Sequence, residues 1–89
     1  YGAEAKYLVA LQWYNAGNYA SAEKEILNFI DQSTPHAYWL ARSFILLSDV
    51  YVAMDKKLDA RQYLLSLQQN YQADDDIASM INERLEKLK

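Results

Sequence analysis

The stretch Ala10–Ile26, ALQWYNAGNYASAEKEI, returns in kind as Ser48–Leu64, SDVYVAMDKKLDARQYL. Ala10, Trp13, Asn15, Tyr19, Ala22 and Ile26 each meet a counterpart 38 residues later, in Ser48, Tyr51, Ala53, Lys57, Ala60 and Leu64. Within each copy the apolar positions lie mostly three and four apart, the spacing that gathers side chains on one face of a helix. A fixed period of this size, with helical spacing inside it, predicts stacked helix hairpins in which each hairpin buries a face that its neighbour covers. Such a stack offers surfaces rather than a reaction centre, so binding is the expected role.

Composition agrees with that reading. Eighty-nine residues, 52% of them hydrophobic, suffice for one compact domain with little stability to spare. Two Gly and one Pro against abundant Ala, Leu, Gln, Lys and Glu favour long helices over strands, and the class is all-α. Nine basic against twelve acidic residues leave a net charge of −3, which argues against nucleic acid as a partner, because phosphate recognition is largely electrostatic. No cysteine is present, so disulfides, thiolate metal sites and cysteine nucleophiles are excluded. No apolar run, Phe44–Leu47 among them, approaches the roughly 18 residues of a membrane span, so no direct membrane insertion is expected. The chain opens at Tyr1 without an initiator Met, and we expect a segment of a longer protein.

Five antiparallel helices are predicted. The first runs from Ala3 to Ala16 and ends at Gly17, a residue free to take positive φ. Asn18 caps the second, which continues to about Asp31 and buries Ala22, Ile26, Leu27 and Phe29. Gln32–Thr34 breaks it. Thr34 followed by Pro35 starts the third helix, because Pro suits a first helical position whose N–H has no partner inside the helix. The third helix reaches about Met54 and is apolar around most of its circumference, as a central element should be. Asp55, Lys56 and Lys57 make a turn without Gly, and Leu58, Ala60, Leu64, Leu65 and Leu67 build the fourth helix to about Asn70. Asp74, Asp75 and Asp76 open a fifth helix whose apolar stripe is Ile77, Met80, Ile81, Leu85 and Leu88; one dry face suits a terminal cap.

The spacing within each unit resembles the tetratricopeptide repeat pattern W-x2-L-G-x2-Y, then A-x3-F, then P. Val9, Ala10, Trp13, Ala22 and Ile26 fill its places from L to F in the first unit; Phe44, Leu47, Ser48, Tyr51, Ala60 and Leu64 fill W to F in the second. Small residues at Ala10, Ser48, Ala22 and Ala60 would let paired helices approach closely. The likeness covers residues 3–74 and departs from the pattern at Lys6, at a Pro35 one residue late, at the missing second Pro, and in a period of 38 where 34 is usual. The longer period predicts an extra turn at the start of the third helix, around Tyr38 and Trp39. The resemblance implies one domain over residues 1–89: a first repeat at about 3–36, a second at about 37–74, a capping helix at about 75–89, and a right-handed α-α superhelix. The aromatic-rich style is similar to repeats of bacterial cell-envelope proteins, which implies a periplasmic setting.

In tetratricopeptide arrays the first helix of each pair lines a concave groove. That implies protein-binding positions at Glu4, Tyr7, Leu11, Tyr14 and Asn15, and at Arg42, Ile45, Asp49, Val52 and Ala53. The groove could receive a peptide, with an aliphatic and aromatic floor for affinity and Arg42, Asp49 and Asn15 for direction. Alternatively its floor packs on the C-terminal helix, on an adjacent repeat of a longer array, or on a second copy in a homodimer. Relatives that hold C-terminal carboxylates do so with paired Lys and Asn; Tyr7, Leu11, Ile45 and Asp49 stand here instead. The single histidine, His36, has no nucleophile or carboxylate beside it in a motif, so no enzyme activity is expected. Asp74–Asp76 lacks the alternating oxygen ligands and Gly of a cation loop and reads as a helix start; neither metal nor cofactor is expected.

Overall fold

A computed structural model describes residues 2–30, 37–71 and 75–88. The described residues form five helices: α1 (Ala3–Asn15), α2 (Tyr19–Ile30), α3 (Ala37–Ala53), α4 (Lys57–Asn70) and α5 (Ile77–Lys87), with no strand among them. The predicted break at Gln32–Thr34, the Thr34–Pro35 start signal, His36 and Asp74 lie outside the described residues.

Two tight turns make the hairpins, and they are built alike. After α1, the Asn18 N–H donates to the Trp13 carbonyl (2.9 Å) and the Gly17 N–H to Tyr14 (3.0 Å), with Gly17 at φ +81°. After α3, the Lys56 N–H donates to Tyr51 (2.7 Å) and the Asp55 N–H to Val52 (3.1 Å), with Asp55 at φ +62°. Both are Schellman closures, in which a left-handed residue reverses the chain and satisfies carbonyls that the helix end would orphan. Every residue of the second turn lies 38 positions after its counterpart in the first. Asn18 then caps α2, its Oδ1 accepting from the Ser21 N–H at 3.4 Å. At the start of α5 the cap comes from Asp75, whose Oδ1 accepts from the Ile77 N–H at 3.0 Å; Asp76 occupies the N-cap position but makes no capping bond. α3 has 17 residues against 13 in α1 and ends in register with it, so the extra turn lies at its start, where Tyr38 and Trp39 are.

α3 is the central element. It packs on α1, α2, α4 and α5, while α1 touches α2 and α3 only, and α5 touches α3 and α4. Its residues divide between two clusters. Leu46, Leu47, Val50 and Tyr51 join Tyr7, Ala10, Ala22, Ile26 and Ala60, and Ala41 and Ile45 join Leu64, Leu67, Ile77 and Ile81. Each fully buried Ile or Leu contributes about 1.5–3 kcal/mol relative to an exposed one. Ala22 and Ala60 are completely buried, as close approach of the paired helices requires. Ser43 and Ser48 are buried without leaving a hydroxyl orphaned, since they donate back to the Trp39 (2.9 Å) and Ile45 (2.6 Å) carbonyls. Val9, Trp13, Leu27 and Leu58, which the repeat pattern or the helical spacing assigns to packed faces, are exposed. They keep helical spacing, but among the described residues no element covers those faces.

Candidate functional site

Of the ten proposed groove positions, seven separate into three groups, and Glu4, Leu11 and Asn15 lie outside them. Tyr7 and Ile45 are buried in the two core clusters and offer a partner nothing. They face inward because α1 and α5 both lie against α3, closing the floor beneath them.

Arg42 is engaged within the molecule. Its guanidinium lies 5.2 Å from the centroid of the Tyr7 ring, 5.9 Å from Tyr38 and 5.8 Å from Trp39, a box of aromatic faces that suits a desolvated cation. It donates to the Tyr38 hydroxyl (3.3 Å) and the Tyr7 hydroxyl (3.4 Å), and Tyr38 passes the contact on to the Asp76 carboxylate at 3.0 Å. Burial pulls the guanidinium pKa down, but the hydrogen bond to Tyr38 and the interaction with Tyr7 outweigh it and leave it raised. The Arg42 Nε is buried with no partner among the described residues. The extra turn of α3 thus supplies two walls of this box and ties α1 to the start of α5.

The third group opens on a cavity of ≈ 490 Å³. Tyr14 from α1, Ser48, Asp49, Val52 and Ala53 from α3, Lys57 and Leu64 from α4, and Glu83, Arg84, Lys87 and Leu88 at the end of α5 line it. Asn15 and the half-buried Leu11 lie outside this lining. Arg84 forms a two-pronged ion pair with Asp49, Nε to Oδ1 at 3.0 Å and Nη2 to Oδ2 at 3.1 Å, and its Nη1 donates to the Met80 carbonyl at 3.3 Å. Burial and the nearby Asp49 carboxylate raise the Tyr14 phenol pKa, keeping it a neutral donor. The cavity therefore combines apolar surface from Val52, Ala53, Leu64 and Leu88 with charged groups of both signs.

Glu83, Arg84 and Lys87 lie off the apolar stripe of the fifth helix, yet all three line the cavity. A signal for two of them was available. Carrying the 38-residue offset one unit further takes Ile45 to Glu83 and Asp49 to Lys87, and both line the cavity. Arg84 has no such signal, because its role depends on how far α5 reaches across α3.

No helix among the described residues is long and apolar enough to cross a membrane. The chain matches no protein-family model, no curated protein and no solved structure.

Proposed function

We propose that the chain is a protein-interaction module of tetratricopeptide type that receives a peptide segment between α1, α3 and α5. The observation that supports this best is the convergence of Tyr14, Asp49, Val52 and Ala53, four positions that the repeat resemblance assigns to a groove, on a single cavity large enough for one or two side chains. An apolar anchor residue of the peptide would sit on Val52, Ala53 and Leu88, and flanking polar groups would meet Lys57, Glu83 and Lys87. Peptides selected from a displayed random library provide the test, with affinity read by fluorescence anisotropy. Ala53→Trp fills the cavity from an exposed helix position, so it should weaken binding at least tenfold with an unchanged melting temperature. Equal affinity for Ala53→Trp would overturn the reading.

A second reading has its own support. α5 is already pinned across the groove by Arg84 on Asp49, and Leu88 packs against both core clusters. On that reading the chain is a structural segment whose groove is filled by its own last helix, and Arg84→Ala would be needed before any peptide binds.

A further inference from the structure

The cavity between α1, α3 and α5 differs in charge from the chain around it. The chain has twelve acidic residues against nine basic ones and a net charge of −3, yet the lining holds three cations, Lys57, Arg84 and Lys87, against two carboxylates, Asp49 and Glu83. These five groups are not equally free to meet a ligand. Asp49 and Arg84 occupy each other: both carboxylate oxygens accept from the guanidinium, at 3.0 and 3.1 Å, and its remaining nitrogen donates to the Met80 carbonyl. A two-pronged pair of this kind is strong and directional, so a ligand gains little by breaking it.

Lys57, Glu83 and Lys87 are exposed and make no hydrogen bond or ion pair among the described residues. Glu83 precedes Lys87 by one turn of α5, a spacing at which the two can neutralise each other. Lys57, on α4, then still lines the cavity without an anion beside it. The Tyr14 hydroxyl also makes no hydrogen bond among the described residues, and burial together with the Asp49 carboxylate raises its pKa, so it stays protonated and can donate. Beside the apolar surface there are thus two free ammonium groups and a phenol donor against one free carboxylate. A basic ligand would find only Glu83 and be repelled by the rest, and a neutral one would leave the ammonium groups to water.

We propose that the cavity selects acidic peptide segments: an apolar side chain seated on Val52, Ala53 and Leu88, with an Asp or Glu close to it in sequence whose side-chain carboxylate meets Lys57 and Lys87. This rests on the peptide-binding reading above and adds the charge of the partner. The two cations stand on α4 and α5, outside the first-helix positions that the repeat resemblance assigns to a groove, and the carboxylate belongs to a side chain, so the partner need not end there. Two exposed ion pairs contribute about fivefold in affinity at low ionic strength.

The test selects binders to the full chain from a displayed library whose random segments lie between fixed flanks, so that no free C-terminus is on offer. Selected peptides that lose affinity on Ala53→Trp are those held in the cavity. They should carry Asp or Glu beside an apolar residue, and replacing that acid by its amide should weaken binding about fivefold at low ionic strength. The difference should vanish near 1 M salt, where the screening length is about 3 Å. Lys57→Gln with Lys87→Gln should remove the same factor, leave the affinity of the amide peptide as it was, and leave the melting temperature unchanged, because both side chains are exposed. Glu83→Gln should act in the opposite direction and tighten binding of the acidic peptide about twofold. The proposal is overturned, with the peptide-binding reading intact, if the peptides sensitive to Ala53→Trp are neutral or basic, or if an acidic one binds the double lysine variant as tightly as the original chain. If no selected peptide responds to Ala53→Trp, the peptide-binding reading itself falls and the proposal falls with it.

Discussion

The two hairpin turns differ in one residue that the backbone makes expensive. Gly17 and Asp55 hold equivalent positions with φ of +81° and +62°, each closing a pair of reversed hydrogen bonds. An L-residue in the left-handed region costs about 1–2 kcal/mol, less for a short polar side chain, and glycine escapes the cost. Placing glycine there also frees the unfolded chain, which returns about 0.4–1 kcal/mol of the gain. Asp55→Gly should therefore stabilise by about 0.5–1 kcal/mol, or about 2–8 °C in melting temperature for a domain of this size. The Asp55 carboxylate makes no hydrogen bond or ion pair among the described residues, so nothing is lost with it. Gly17→Ala should destabilise by a similar amount, and for conformational reasons alone, because a Cβ at Gly17 meets no atom within 4 Å. Circular dichroism melts and urea titrations with unchanged slope would measure both. A lower midpoint for Asp55→Gly, or an unaltered one for Gly17→Ala, would refute the account of these turns.

Ala22→Leu or Ala60→Leu overpacks a helix–helix contact and should cost about 1–3 kcal/mol by thermal unfolding, whereas Ala20→Leu, at an exposed site, should leave the midpoint in place. Tyr7→Ala removes a core aromatic and should cost about 3 kcal/mol, while the half-buried Tyr14 should cost about 1 kcal/mol; equal effects would mean that Tyr7 is not inside. The Tyr71 hydroxyl donates to Asp75 at 2.5 Å, and this bond, with partial burial, pushes its pKa up to about 12. Because the folded value lies above the ordinary 10, the contact stabilises fully below pH 10 and its contribution disappears as pH rises toward 12. Ultraviolet difference titration against Tyr71→Phe should show the late-titrating phenol, and Asp75→Ala should return it toward 10.

Much of the architecture was legible because it rests on local rules. The scarcity of Gly and Pro, the three- and four-residue spacing and the 38-residue echo specify five helices, and Gly17 and Asn18 mark the first reversal. The second reversal carried no glycine signal, yet Asp55 adopts the same left-handed conformation because the surrounding hydrogen bonds demand it. The site was half legible. The repeat resemblance assigns Tyr14, Asp49, Val52 and Ala53 to a groove and they line the cavity, whereas Tyr7 and Ile45, assigned to the same groove, lie in the core.

What the sequence by itself determines is which residues share a face: helical periodicity is a property of one segment and needs no neighbour. What only the tertiary structure decides is which faces are covered, because burial belongs to pairs of elements. Trp13 and Tyr51 lie 38 residues apart at corresponding positions, yet one is exposed and the other buried, since among the described residues α3 has helices on both sides and α1 has them on one. The same holds for charge. Asp49 and Arg84 are 35 residues apart on helices read as a groove wall and a cap, and only the packing of α5 across α3 brings the carboxylate and the guanidinium within 3.0 Å.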